Sequence, residues 1–171
     1  MTATSDLAPR RLRDILGTFA TGLTVITSAT DQGPAGFTCQ SFASLSLDPA
    51  LVTFSPARTS TTWPALRKAG SFTINILPAG HQHLAGQFAR SGADKFAGVS
   101  HTASPLGNPI LADALAWIDC ELHAEYDGGD HTIVVAAVRH LSARPDAEPL
   151  VFFKGRYAGL ASTERLLEAA S

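Results

Sequence analysis

The chain has 171 residues, 45% of them hydrophobic, with 13 Lys and Arg against 15 Asp and Glu for a net charge of −2. A chain of this length buries roughly 70% of its unfolded surface, which excludes a disordered chain or one that needs metal or disulfide staples to fold. The even charge excludes nucleic-acid and anionic-membrane partners of the kind that clustered Lys and Arg attract.

Residues 1–8 read as a flexible tail and 9–171 as a single domain. Leu12, Ile15, Leu16 and Phe19 fall at i, i+3, i+4 and i+7, one face of a helix that Pro9 starts and Gly22 stops. Arg10, Arg11 and Arg13 make the solvated side of that helix. The β-branched run 23–28 predicts a strand. Asp31-Gln32-Gly33-Pro34 turns it into a second strand near 36–40. Asp48-Pro49 interrupts the chain, 51–54 forms a short buried strand, and Pro56 ends it. Ser60-Thr61-Thr62 cap a helix with Pro64 in its first turn and Gly70 as its stop. A strand at 71–77 and a helix at 81–90 follow.

Residues 93–110, with Pro105 and Pro109, read as a long irregular stretch, a length usually tied to function. Ala116, Ile118, Cys120, Leu122, Ala124 and Tyr126 alternate with Trp117, Asp119, Glu121, His123 and Glu125. That period of two predicts a strand with one apolar and one mostly polar face. Asp127-Gly128-Gly129-Asp130 is a hairpin turn. The near-continuous apolar run 133–138 predicts a strand covered on both faces. A strand at 150–153 and a helix at 164–170 close the chain. Six or seven short strands joined by hairpins, with peripheral helices, make a mainly β protein built on an antiparallel barrel.

Familiar catalytic signatures are missing. There is no Gly-x-Gly-x-x-Gly, Walker loop, Gly-x-Ser-x-Gly or His-Glu-x-x-His. Cys39 and Cys120 lack metal spacing and read as reduced thiols of a cytoplasmic protein; no metal site is expected. Charged residues are 16%, against about 25% in typical soluble proteins, so part of the surface is expected to be covered by a ligand or a second subunit. Two polar clusters stand out. Thr38-Cys39-Gln40-Ser41-Phe42-Ala43-Ser44 ends a strand with hydroxyl and amide groups suited to line a ligand, or to bond locally to the backbone. Ser55-Pro56-Ala57-Arg58-Thr59-Ser60-Thr61-Thr62 puts hydroxyls before a helix start, an arrangement suited to an anion, with Arg58 to complete phosphate binding. His131 follows the Gly-Gly-Asp turn and carries the one side chain that titrates near neutrality.

These segments, in order, resemble the short-chain flavin reductase family, the flavin reductase-like domains with a split barrel. The resemblance runs from Phe19-Ala20-Thr21-Gly22-Leu23-Thr24-Val25-Ile26-Thr27 through Gly36-Phe37-Thr38-Cys39-Gln40-Ser41-Phe42 and Ser44-Leu45-Ser46-Leu47-Asp48-Pro49. It continues through Ser71-Phe72-Thr73-Ile74-Asn75-Ile76-Leu77, Asp94-Lys95-Phe96, Gly129-Asp130-His131 and Gly155-Arg156-Tyr157. It implies an antiparallel split β-barrel, homodimeric, with FAD or FMN near the subunit interface. It also implies hydride transfer from NADH, or alternatively NADPH, to flavin N5, with diffusible reduced flavin passed to a partner monooxygenase. Thr38, Cys39, Gln40, Ser41 and Ser44 would lie by the flavin ring. Ser55, Ser60, Thr61 and Thr62 would surround the ribityl chain and phosphate. Lys95 and Phe96 lie in a segment that reaches the flavin, His131 matches the nicotinamide-positioning residue, and Tyr157 matches a residue near the ring. Gln40 stands where many members carry Asn. Competing readings are a flavin- or haem-binding carrier or sensor without reductase activity, and an oxidase on the pyridoxamine-phosphate oxidase scaffold. The Gly129-Asp130-His131 turn favours the reductase, because a carrier needs no nicotinamide site.

Overall fold

The computed structural model describes residues 7–92, 94–144 and 146–160. The helix expected at 164–170 and most of the tail expected at 1–8 lie outside them. Helix α1 (Pro9–Leu16) leads into β1 (Thr21–Gly22), β2 (Thr24–Thr30), β3 (Gly33–Cys39), β4 (Ala43–Leu47) and β5 (Ala50–Phe54). Helix α2 (Trp63–Ala69), β6 (Ser71–Ile76), a single 3-10 turn at Ala79–His81 and helix α3 (Gln82–Ala89) follow. The chain continues through β7 (His101–Ala103), β8 (Pro109–Leu111), β9 (Ala116–Gly128), β10 (His131–Ala143), β11 (Val151–Phe153) and β12 (Arg156–Ala158).

Seven strands form one antiparallel sheet in the order β3-β2-β6-β9-β10-β5-β4. Its two edges, β3 and β4, are consecutive in the chain and joined by 40–42 alone. Laid flat, seven strands would be roughly 29 Å wide, whereas four residue steps reach about 14 Å at most. The sheet therefore curls until its edges meet. Those edges share no ladder, so the barrel is split along that seam.

The inside of the curl is the main core. Ile26, Phe37, Phe54, Phe72, Ile74, Cys120, Val134 and Ala136 alternate inward from their strands, and α2 closes one end with Trp63 and Leu66. Phe54 meets Phe72 and Trp63 edge-on at 5.4 and 5.5 Å, the geometry that ring quadrupoles prefer. A second cluster joins Val25, Leu77, Leu84, Phe88, Leu111 and Leu150 on the outer side, under α3.

Two expectations need correction, and the polar face of a predicted strand takes a place that its alternation did not define. Helix α1 stops at Leu16, because the chain turns at Gly17, whose N–H bonds to Arg13, while the Thr18 hydroxyl takes the Ile15 carbonyl. Phe19 thus lies outside the helix. Residues 93–110 are not irregular throughout: β7 and β8 pair as a small hairpin. The polar face of β9 is not solvated along its length, since Asp119 is fully buried. It accepts bonds from the Thr73 hydroxyl (2.8 Å), the Leu106 N–H (2.9 Å) and the Asn108 amide (3.3 Å). The sequence reading also omitted β1, β4 and β12; the strand expected at 150–153 is β11, which pairs with β1 and β12. Strand β10 is covered on both faces at Val134, Val135 and Ala136, as the apolar run predicts, but it continues to Ala143 with an exposed end. Among the described residues no helix is long and apolar enough to cross a membrane.

Candidate functional site

A cleft of about 730 Å³ opens where the barrel seam meets the α2 entrance and the end of α3. Its size falls in the range of small-molecule and cofactor sites. Strand β3 and the 40–43 segment form one wall, the 55–62 loop a second, and residues 88–91 with Lys95 a third. Phe19, Thr21 and His131 complete it.

On the first wall the hydroxyls are already committed. Thr38 donates to the Ala85 carbonyl (2.7 Å), tying β3 to α3. Ser41 Oγ accepts the Ser55 N–H (2.7 Å) and lies 3.3 Å from both the Ser55 carbonyl and Cys39 Sγ. This stitch crosses the seam. Cys39 is buried, and burial pushes its thiol pKa up, so it is a packed thiol and not a nucleophile. Cys120, pushed up to about 12 by burial and by Asp119, is equally inert. Gln40 is exposed, and its side chain has no protein partner among the described residues.

The second wall is pinned to the β9–β10 hairpin. Arg58 N–H donates to the Asp130 carbonyl (2.9 Å), and Thr132 N–H to that of Pro56 (3.0 Å). That pinning brings His131 to the cleft. Ser60 Oγ accepts the N–H groups of Trp63 (3.1 Å) and Thr62 (3.3 Å), so it ties down the start of α2, whose N-cap position is Thr62. Thr62 Oγ1 accepts from Lys95 Nζ (3.2 Å), which also donates to the Gly36 carbonyl (3.1 Å). Partial burial lowers the Lys95 pKa. The hydroxyls of Ser55, Thr59 and Thr61 have no protein partner among the described residues and face no such commitment.

Most of the residues singled out from the sequence and the resemblance stand on this cleft: Thr38, Cys39, Gln40, Ser41, Ser55, Ser60, Thr61, Thr62, Lys95 and His131. Three stand elsewhere. Ser44 is exposed on β4 opposite Val52. Phe96 packs edge-on against Phe88 (5.1 Å) and His101 (5.3 Å), behind the wall. Tyr157 lies on β12 against Phe152 (5.8 Å). Arg58 does not complete an anion site as the sequence suggested, because it pairs with Asp127 at 2.7 Å away from the wall. The cation that takes its place is Arg90, with Ser91 beside it. Sequence reasoning missed both, for a lone arginine at a helix end carries no distinguishing pattern.

The electrostatics follow. Arg90 and Lys95 line the cleft, and no carboxylate does so among the described residues. The free hydroxyls sit on the same rim, so the cleft suits a ligand with an anionic end and a flat, partly apolar body against Phe19, Phe37 and Phe42. At the other end, His131 Nδ1 lies 2.7 Å from Asp130 Oδ1. The hydrogen bond to His131 holds the Asp130 carboxyl below its ordinary range. An ionised carboxylate only accepts, so Nδ1 carries the proton, and whenever the ring is uncharged Nε2 is left as an acceptor. Among the described residues no cluster of His, Cys, Asp and Glu is arranged to hold a metal ion.

Comparison with known proteins gives consistent results. The flavin reductase like domain family matches residues 16–161. The reductase subunit of a flavin-dependent monooxygenase from Rhodococcus jostii is 46% identical over 158 residues, covering 92% of this chain and 81% of the relative. An FMN reductase (NADH) from Agrobacterium fabrum is 41% identical over 148 residues, covering 86% of this chain and 84% of the relative. The structure of a Streptomyces globisporus NADH:FAD oxidoreductase, in complex with NAD and FAD fragments, superposes with a TM-score of 0.89 at 32% identity. That match covers 95% of this chain and 99% of the other.

Proposed function

The chain belongs to the flavin reductase-like domain family, and from that premise we propose how its cleft serves the reaction. The protein is an NADH-dependent flavin reductase, and it supplies reduced flavin to a monooxygenase component. When bound in this cleft, flavin would supply the redox chemistry, as the acceptor of hydride from the nicotinamide. What remains for the protein is binding, orientation and exclusion of water.

Arg90 and Lys95, with the hydroxyls of Ser55, Thr59 and Thr61, hold the phosphate end. The observation that carries this assignment is a rim with two cations, three uncommitted hydroxyls and no carboxylate among the described residues. Thr38, Cys39 and Ser41 shape the wall beside the ring; their side chains are bonded inward, which leaves their backbone and the Gln40 amide to meet it. Ser60 acts through the start of α2, whose first N–H groups it accepts. His131 accepts at Nε2 from the carboxamide N–H of the nicotinamide, with Asp130 fixing the tautomer. No side chain is asked to move a proton, consistent with a cleft built from hydroxyls, cations and one histidine.

The same proposal includes a homodimer. Ile15, Leu16 and Phe19 are 56%, 68% and 76% exposed, a stripe that water disfavours, and Phe19 also lines the cleft. A cytoplasmic location accords with the NADH supply and with two free cysteines.

The deciding experiment is anaerobic. Purified protein is mixed with NADH or NADPH and with FMN or FAD in turn, and bleaching of the oxidised flavin band is followed. Protein-dependent bleaching is expected with NADH, and its rates rank the two flavins. Flavin binding without bleaching would turn the reading to a carrier or sensor.

A further inference from the structure

Lys95 belongs to a segment without a ladder of its own, between α3 and β7. Its ammonium nevertheless crosses between two walls of the cleft, donating to Gly36 on β3 and to Thr62 at the start of α2. An ammonium has three N–H donors, so one is left for an anion. A flexible four-carbon stem does not hold such a position by itself. The backbone beneath it must be held.

Gln87, on the inner side of α3 and off the cleft wall, does this. Its Nε2 donates to the Lys95 carbonyl (2.9 Å) and to the Ala97 carbonyl (3.0 Å). Both partners are acceptors only, so the amide orientation follows without ambiguity, and both amide protons are used. Phe96, between those two carbonyls in sequence, packs against Phe88 one residue beyond Gln87. Its N–H is taken by Asp94 Oδ1 at 3.0 Å. The segment is thus fastened by one polar clamp and one aromatic contact to the same helical turn.

We infer that Gln87 is a positioning residue for flavin binding: its paired hydrogen bonds to the Lys95 and Ala97 carbonyls keep the Lys95 ammonium in the cleft. The inference rests on the reading of Lys95 as a contact of the flavin phosphate. Without the clamp, the segment gains conformational freedom that binding must remove again. The free ammonium also regains its hydration.

The test is a double-mutant cycle read by quenching of FMN fluorescence at several salt concentrations. Lys95→Met is expected to weaken FMN binding roughly tenfold or more and to flatten its salt dependence. Gln87→Met is expected to weaken it about two- to tenfold, with the same flattening, although no charge has been removed. The double variant is expected to bind no more weakly than Lys95→Met alone. Gln87→Asn keeps the donors on a shorter stem and is expected to fall between wild type and Gln87→Met. It also carries the cycle if the methionine variant does not fold. An unchanged affinity in Lys95→Met would overturn the phosphate reading, and this inference with it. A weakened Lys95→Met beside an unchanged Gln87→Met, or losses that multiply in the double variant, would overturn the inference alone.

Discussion

His131 illustrates what a single residue contributes here. Asp130 holds its Nδ1, and the pinned 55–62 loop brings the ring to the cleft, which is the geometry behind the proposed role of seating the nicotinamide. His131→Ala removes one hydrogen bond, worth up to about tenfold in binding. The expected result is a rise in the apparent KM for NADH with kcat largely kept, the pattern of lost uniform binding. Steady-state kinetics decide it: a collapse in kcat at unchanged KM would mean that His131 takes part in the chemical step. The histidine was singled out through the resemblance, in which Gly129-Asp130-His131 is one of the ordered motifs, and the structure brings it to the cleft. The hydroxyl clusters were legible as clusters. Their division was not: Thr38, Ser41 and Ser60 are used within the protein, whereas Ser55, Thr59 and Thr61 are not. Which hydroxyl is free depends on partners distant in sequence, such as Ala85 for Thr38.

Among the elements, the β7–β8 hairpin shows how the outer face of a sheet is covered by polar contacts as well as by the buried Leu111. Asp119 is fully buried on β9 and gathers Thr73, Leu106 and Asn108. Asn108 further reaches the Ala29 N–H through Oδ1 (3.2 Å) and Ser71 through its amide (3.2 Å). Asp119→Ala strands three donors, each costing about 1–3 kcal/mol when buried and unpaired. A total loss of about 3 kcal/mol is expected, which lowers Tm by roughly 6–12 °C in a chain of this size. Calorimetry measures it, and a shift below about 2 °C would show that water replaces the carboxylate freely. The alternation of β9 was plain in the sequence, and it placed Asp119 on the mostly polar face without showing that this face is buried. Alternation tells which side chains share a face and leaves open what covers that face. The covering segment lies in a stretch whose Pro and Gly content masks two strands of three residues each.

At the scale of the molecule, α1 buries none of its residues in its own chain. Its Leu16 is 68% exposed and adds little to the fold of one copy. Leu16→Glu is therefore expected to leave Tm of the isolated chain nearly unchanged while splitting the proposed dimer, because a charge in an apolar interface loses its hydration. Sedimentation equilibrium distinguishes the outcomes: a wild-type mass near one chain, or a variant that still sediments as two, would refute the proposed interface. Periodicity and turn residues by themselves determined the longer strands and the antiparallel class, which depend on neighbours within a few residues, and the kind of cofactor came from the resemblance that the ordered motifs carry. Only the tertiary structure decided the cleft. The sheet must curl because its edge strands are joined by 40–42, and that closure brings β3, the 55–62 loop, Arg90, Lys95 and His131 to one place. Closure is a property of the whole ladder order, which no local stretch of sequence encodes.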